Sequence, residues 1–175
     1  AENRNKLRFL TSQLVRFERF VDNDVPMQEV LLGVYNSHPA RYAGYTIRQL
    51  CQEMHDFYKD RNVKDLQKKL FRREYFPEYV MKPQDAQYAF IRGQRELVPL
   101  DEIEGRIALE GALPYPPGVL CVVPGERWSH TAVQYFKALE ESLNELPGFA
   151  SEIQGVYLEK EEDGRIRAYG YVLKE

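Results

Sequence analysis

The sequence predicts an α+β fold: a helical N-terminal half, then a small sheet with one long helix and a C-terminal β-hairpin. Three observations carry that prediction. Up to about residue 94, apolar residues recur at the three- and four-residue spacing of one-sided helices. From about residue 95 the texture changes to short extended pieces punctuated by proline and glycine, as in "ELVPLDEIEGRIALEGALPYPPGVLCVVPGE". The tail "GVYLEKEEDGRIRAYGYVL" is a hairpin pattern that turns at Asp163-Gly164. A length of 175 residues fits one domain over 1–175, helical in 1–94 and mixed in 95–175. A chain of this size buries roughly two-thirds of its unfolded surface and needs no covalent staple.

The first helix is marked by Leu7, Leu10, Leu14, Phe17 and Val21, one apolar stripe that asks for a partner surface. Asp22-Asn23-Asp24 stops it, and Pro26 suits the first turn of a short helix carrying Val30, Leu31 and Val34. Thr46 and Gln49 form a capping box ahead of Ile47, Leu50, Cys51, Met54 and Phe57. Asn62 is a cap for a helix with Val63, Leu66 and Leu70 on one face, and Pro83 opens another that ends at Gly93. Val119 to Val123, apolar on both faces, reads as a buried central strand. Ser129 caps a long helix bearing Val133, Phe136, Leu139, Leu143 and Leu146, and Pro147-Gly148 stops it. In the last strand, Ile166, Ala168, Gly170 and Val172 fall on one face.

Composition narrows the function classes. A net charge of -3, from 24 basic and 27 acidic residues, argues against nucleic acid or an anionic membrane as the main partner. Two distant cysteines, Cys51 and Cys121, fit buried thiols in a reducing cytoplasm. No apolar run has membrane-spanning length, and no signal peptide is present. The chain starts without methionine and already in helical pattern, which reads as a piece of something longer. His38, His55 and His130 are isolated and show no metal-ligand spacing.

Candidate chemistry is sparse. Ser129-His130 is a nucleophile and base only in sequence, because neighbours on a helix do not face each other and no G-x-S-x-G elbow surrounds them. Helix capping is the ordinary role for Ser129. Glu126, after the Pro124-Gly125 turn, lies close to the positive end of the following helix; its ordinary role is helix-terminus electrostatics, and its sharper role is to hold a partner's cation. Lys64, Lys68, Lys69, Arg72 and Arg73 make a basic face, and no glycine-rich phosphate loop accompanies it. Glu159 to Asp163 is an acidic hairpin tip. The residues alone stop at an α+β domain without a self-contained active site.

A resemblance goes further. "GRIALEGALPYPPGVLCVVPGE", Gly105 to Glu126, resembles the C-terminal domain of bacterial ornithine/lysine/arginine decarboxylases. "RYAGYTIRQLCQEMHDFYKDRNVKDLQKKLF" and "LPGFASEIQGVYLEKEEDGRIRAYGYVLK" are similar to the same family, so the likeness covers nearly the whole chain. Where lysine and arginine members tend to carry proline and a large aliphatic, this chain has Leu120-Cys121. That pair, "EGALPYPPGVLCVVPGE" and "EIQGVYLE" resemble the ornithine-specific members; lysine or arginine members, or a stand-alone protein-interaction module, are the alternatives.

The resemblance implies a large cytoplasmic enzyme that turns L-ornithine into putrescine and carbon dioxide, with pyridoxal phosphate as electron sink. It implies a core domain upstream holding that cofactor through a Ser-x-His-Lys type lysine, which this chain lacks, since Ser129-His130 continues into Thr131. Its partners are then that core domain, further copies in a dimer-based oligomer and the small-molecule substrate, and the fragment alone is inactive. The stripe of the first helix then continues a linker from the core. In the loop, Pro114, Pro116 and Pro117 fix backbone torsions around Tyr115 ahead of Gly118, so that Tyr115 walls the substrate channel or braces the core domain. Arg19 is a second candidate for the channel entrance.

Overall fold

The computed structural model describes residues 2–115 and 118–175; Ala1, Pro116 and Pro117 lie outside the described residues. Two compact units divide the chain, Ala1–Phe57 and Tyr58–Glu175. The change of sequence texture near residue 95 falls inside the second of them.

The first unit begins with α1 (Glu2–Asp22), which buries none of its residues. Its C-terminus is tied down: Arg48 donates through Nε to the carbonyl of Val21 and through a terminal nitrogen to that of Asp22 (3.1 and 2.6 Å), satisfying orphan carbonyls with a cation. Three short helices follow, α2 (Met27–Val30), α3 (Leu32–Ser37) and α4 (Pro39–Tyr42). The helix expected through Val34 breaks at Leu31, whose φ of -122° and ψ of 48° are not helical. The capping box forms as the sequence indicates: Thr46 N–H donates to Gln49 Oε1 (3.0 Å), and Gln49 N–H donates to Thr46 Oγ1 (3.3 Å). It opens α5 (Ile47–Asp60). Met27, Tyr42, Ile47 and Leu50 are the buried centre of this unit. The Arg41 guanidinium stacks on the rings of Tyr42 and Tyr45 and pairs with Glu53 (2.5 Å).

The second unit starts with α6 (Val63–Leu70). Asn62 caps it with its backbone rather than its side chain: at φ 52° its carbonyl accepts from Asp65 and Leu66 N–H (2.9 and 3.0 Å). A 3₁₀ turn (Arg73–Tyr75), β1 (Glu78–Tyr79) and α7 (Pro83–Ile91) lead to β2 (Arg95–Pro99). Then come β3 (Leu113–Tyr115), β4 (Glu126–Arg127) and the long α8 (His130–Glu145), followed by β5 (Glu152–Gln154), β6 (Tyr157–Lys160) and β7 (Ile166–Leu173). The fold is α+β. β2, β7 and β6 make an antiparallel sheet in that order, β3 pairs with β5, and β1 pairs with β4.

The core lies between the β2-β7-β6 sheet and α8. Ala168, Gly170 and Val172 face it from β7, and Val133, Phe136 and Leu139 face it from α8. Trp128 meets Phe136 edge to face, with centroids 5.3 Å apart. Ser129 Oγ accepts from Ala132 N–H (3.3 Å) and caps α8. Gln67 donates to Tyr135 Oη (3.1 Å), and Arg61 pairs with Glu141 and with Glu145 (2.9 Å), so α6 is held along α8.

Val119 to Val123 is not a strand. Ala112 and Val122 form an isolated bridge, and Ala112 O accepts from Cys121 N–H (2.9 Å). Cys121 and Val122 are buried, but Val119 and Leu120 are nearly half exposed. The alternation is that of a loop root entering the core on one side only.

A candidate pocket-wall loop

The segment from Glu110 to Trp128 is a loop with a buried root and an exposed tip. Ala112, Pro114, Cys121 and Val122 form the root. β3 adds register, with Pro114 opposite Ile153 and Tyr115 opposite Glu152. Beyond that root the chain turns outward. Tyr115 is 51% exposed, and Val119 and Leu120, further along the same loop, have similar exposure. Gly118 N–H donates to Pro114 O (3.0 Å) and Gly118 sits at φ +75°, where an added Cβ would lie 3.1 Å from Tyr115 Cδ2. Glycine therefore leaves room for the tyrosine ring over the turn. Pro116 and Pro117, also read as part of this wall, lie outside the described residues.

The exit of the loop is fixed as well. Glu126 Oε2 accepts from Val123 N–H (2.8 Å), so its carboxylate closes the Pro124-Gly125 turn. Gly125 has φ +91°, and a Cβ there would come within 2.2 Å of the Met81 carbonyl oxygen. That close approach lets Gly125 O accept from both Val80 and Met81 N–H (3.0 Å each). Arg19 lies exposed on α1, in the other unit.

Beside the loop, an aromatic row runs across the sheet. Phe90, Tyr171 and Tyr157 meet edge to face at 5.1 and 5.0 Å, and Arg95 lies over Phe90 at 4.4 Å. Tyr157 Oη donates to Glu110 Oε2 (2.8 Å) at the start of the loop. Burial of the phenol, with the adjacent Glu110 carboxylate, pushes Tyr157 up to about 12. Sequence reading missed this row; the cross-strand period of Tyr157, Tyr169 and Tyr171 was its only signal.

A second cleft, about 630 Å³, is lined by Asp101, Lys137, Glu140, Asn144, Arg167 and the hairpin tip. Asp101 accepts from Lys137 (2.5 Å) and Arg167 (2.9 Å). These bonds hold Asp101 below the usual carboxylate range and Lys137 above the usual amine range. Glu140 Oε2 accepts from Ala168 N–H (2.5 Å), while burial raises its pKa.

This donor set does not fit pyridoxal phosphate. An imine-forming lysine needs a depressed pKa, and Lys137 is held the other way. Six carboxylates in the cleft also oppose a phosphate. The remaining candidates are structural. Ser129 Oγ is engaged as a cap, His130 Nδ1 faces Glu104 (3.0 Å), and burial raises the Cys121 thiol to about 11. Among the described residues no group of three or more histidine, cysteine or acidic side chains could hold a metal ion. No helix among them is long and apolar enough to cross a membrane.

Comparison with known proteins gives this loop its context. Residues 64–174 match the family "Orn/Lys/Arg decarboxylase, C-terminal domain". The chain is 62% identical over 175 residues to an ornithine decarboxylase of Haemophilus influenzae, covering all of this chain and 24% of that relative. It is 60% identical to the inducible ornithine decarboxylase of Escherichia coli K12, with 99% and 24% covered. Lysine decarboxylase A from Pseudomonas aeruginosa superposes with a TM-score of 0.86 at 31% identity, over 97% of this chain and 23% of that one. The chain thus spans about a quarter of the length of the curated relatives it matches. With a family match that begins in α6 and runs through β7, and relatives aligned along its whole length, the chain belongs to the Orn/Lys/Arg decarboxylase family, C-terminal domain.

Proposed function

We propose that this chain is the C-terminal portion of a longer ornithine decarboxylase, a cytoplasmic enzyme that converts L-ornithine to putrescine and carbon dioxide in polyamine biosynthesis. The observation that carries the reading is the identity contrast. Relatives named ornithine decarboxylase share 62% and 60%, whereas the lysine decarboxylase of matching fold shares 31%. Pyridoxal phosphate, the electron sink for carbon dioxide loss, belongs to an upstream core domain, and the cleft around Asp101 and Lys137 does not suit it. The enzyme assembles as a dimer-based oligomer.

In this reading the second unit braces the core domain and presents Tyr115 over Gly118 to the substrate channel. The buried root at Pro114 and Val122 holds the tip in one place, and Glu126 fixes the exit. Arg19 is the second residue assigned to the channel entrance.

Two assays test the reading. The longer polypeptide is given ornithine, lysine and arginine, and released carbon dioxide is trapped. Ornithine and lysine differ by one methylene, so a pocket built for ornithine gives it a kcat/KM advantage of about 10- to 200-fold. Equal or better turnover of lysine overturns the ornithine assignment. The 175-residue chain with pyridoxal phosphate and ornithine gives no carbon dioxide and no imine absorbance. A stoichiometric product there would place the catalytic lysine in this chain.

A further inference from the structure

The arm of the loop that carries Tyr115 is gripped from the side by the turn between β5 and β6. β3 is three residues long and pairs with β5 alone, with Leu113 opposite Gln154, Pro114 opposite Ile153 and Tyr115 opposite Glu152. Pro114 has no N–H to give to that ladder. A two-stranded pairing this short is marginal in water. The direction in which Tyr115 leaves the domain therefore depends on what holds the residues before it.

Two contacts hold them. At Gly155, φ +79°, a Cβ would lie 1.9 Å from the Gly111 carbonyl oxygen and 3.0 Å from Ala112 Cα, backbone against backbone with no flexible side chain to give way. Two residues on, Tyr157 Oη donates to Glu110 Oε2 (2.8 Å). With its pKa pushed up to about 12, the phenol is protonated at neutral pH and is the donor. Its ring is itself anchored. It meets Tyr171 edge to face at 5.0 Å, Tyr171 meets Phe90 at 5.1 Å, and Arg95 lies over both of those rings (5.4 and 4.4 Å). The grip thus runs from α7 through β7 and β6 to Glu110. Tyr157 adds little to the core, being 41% exposed on a strand that is exposed along its whole length. A surface contact of this kind acts locally more than on global stability.

We infer that Tyr157, through Glu110, and Gly155, through the Gly111 carbonyl, are positioning residues for Tyr115 and fix where its ring stands. The two segments that resemble ornithine-specific members, "EGALPYPPGVLCVVPGE" and "EIQGVYLE", are then the two sides of one clamp. The inference rests on the channel-wall reading of Tyr115 given above; Tyr157 and Gly155 act through the loop and are assigned no contact with substrate.

Kinetics of the longer polypeptide on ornithine, beside amide hydrogen exchange of the 175-residue chain, test it. Tyr157→Phe keeps the ring and removes only the hydroxyl. It shifts the same constant as Tyr115→Ala, KM or kcat, by about 3- to 10-fold, the scale of one hydrogen bond. It adds nothing to Tyr115→Ala in the double variant. Glu110→Ala gives the same loss, whereas Glu110→Gln, which keeps an acceptor oxygen, recovers most of the original kinetics. In the chain alone, the Ala112 and Cys121 amides, bonded across the loop root, exchange about 10-fold faster in Tyr157→Phe and faster still in Gly155→Ala, while α8 amides keep their protection and report a folded core. Should Gly155→Ala fail to fold, Tyr157→Phe and Glu110→Gln decide alone. Unchanged loop exchange in Tyr157→Phe overturns the inference. So does a kinetic loss that adds fully to that of Tyr115→Ala, which would make Tyr157 a residue of general stability. If Tyr115→Ala slows turnover and Tyr157→Phe does not, the inference falls and the channel-wall reading stands. If Tyr157→Phe loosens the loop while Tyr115→Ala leaves turnover unchanged, the channel-wall reading falls and the clamp stands.

Discussion

At Tyr115 a large amphipathic side chain stands half in solvent on a root that is fully packed. Its ring rests over Gly118 and its backbone pairs with Glu152, so truncation removes contact area at the tip without opening the core. Tyr115→Ala in the longer enzyme is expected to raise KM or lower kcat by about 10-fold, the scale of one lost positioning contact. The isolated chain's Tm should move by less than about 2 °C, because the ring is exposed. Unchanged kinetics would return Tyr115 to a bracing role. Glu140 gives a residue-scale prediction with a pH sign. Burial raises its pKa above the unfolded value, so the folded state binds more protons and ionisation of Glu140 opposes folding. That penalty is fully present above the folded pKa and vanishes below the unfolded pKa of about 4.3. Glu140→Gln can still accept from Ala168 N–H. It is expected to raise Tm at pH 8 and leave it unchanged near pH 4. Asp101 has the opposite sign: Lys137 and Arg167 depress it, so its contribution is present above its unfolded pKa and lost as pH falls through the lower folded one.

Among the elements, the loop from Gly111 to Glu126 separates what sequence makes legible from what it does not. Helix caps were legible because their hydrogen bonds are local: Thr46 with Gln49, and Ser129 with Ala132, each span three residues. The long α8, the hairpin and the inward face of β7 were legible through period. The run Val119–Val123 was misread because apolarity alone cannot tell a strand buried on both faces from a loop whose tip waits for another surface. Leu120→Ser is therefore expected to change the isolated chain's stability by less than about 0.5 kcal/mol. Val122→Ala, fully buried, should cost about 1–3 kcal/mol, measured by denaturant unfolding. Equal costs would restore the strand. The exposed loop that carries Tyr115 was marked in the sequence by its prolines and glycines, whereas Glu110 with Tyr157, and Arg48 on the α1 carbonyls, join residues far apart in sequence and left no local trace.

Across the whole molecule, burial is unevenly shared. The second unit packs a large core around Trp128 and Phe136 and a smaller cluster at Ala86, Ala89 and Leu109, while the first has a small centre and a helix that buries nothing. The single tryptophan lies wholly within the second unit, so its fluorescence reports that core alone. Far-UV circular dichroism weights both units, since α1 and α5 are among the longest helices. A stretch with few buried apolar contacts opens at lower free energy than a packed core. Thermal unfolding of the isolated chain should therefore begin in the dichroism signal, at a temperature where tryptophan emission is still native. Non-coincident curves mark departure from two-state behaviour. In the longer polypeptide, with the α1 stripe covered, the early dichroism loss should disappear and its midpoint should rise. Coincident curves in the isolated chain would mean that α1 draws its stability from within these 175 residues.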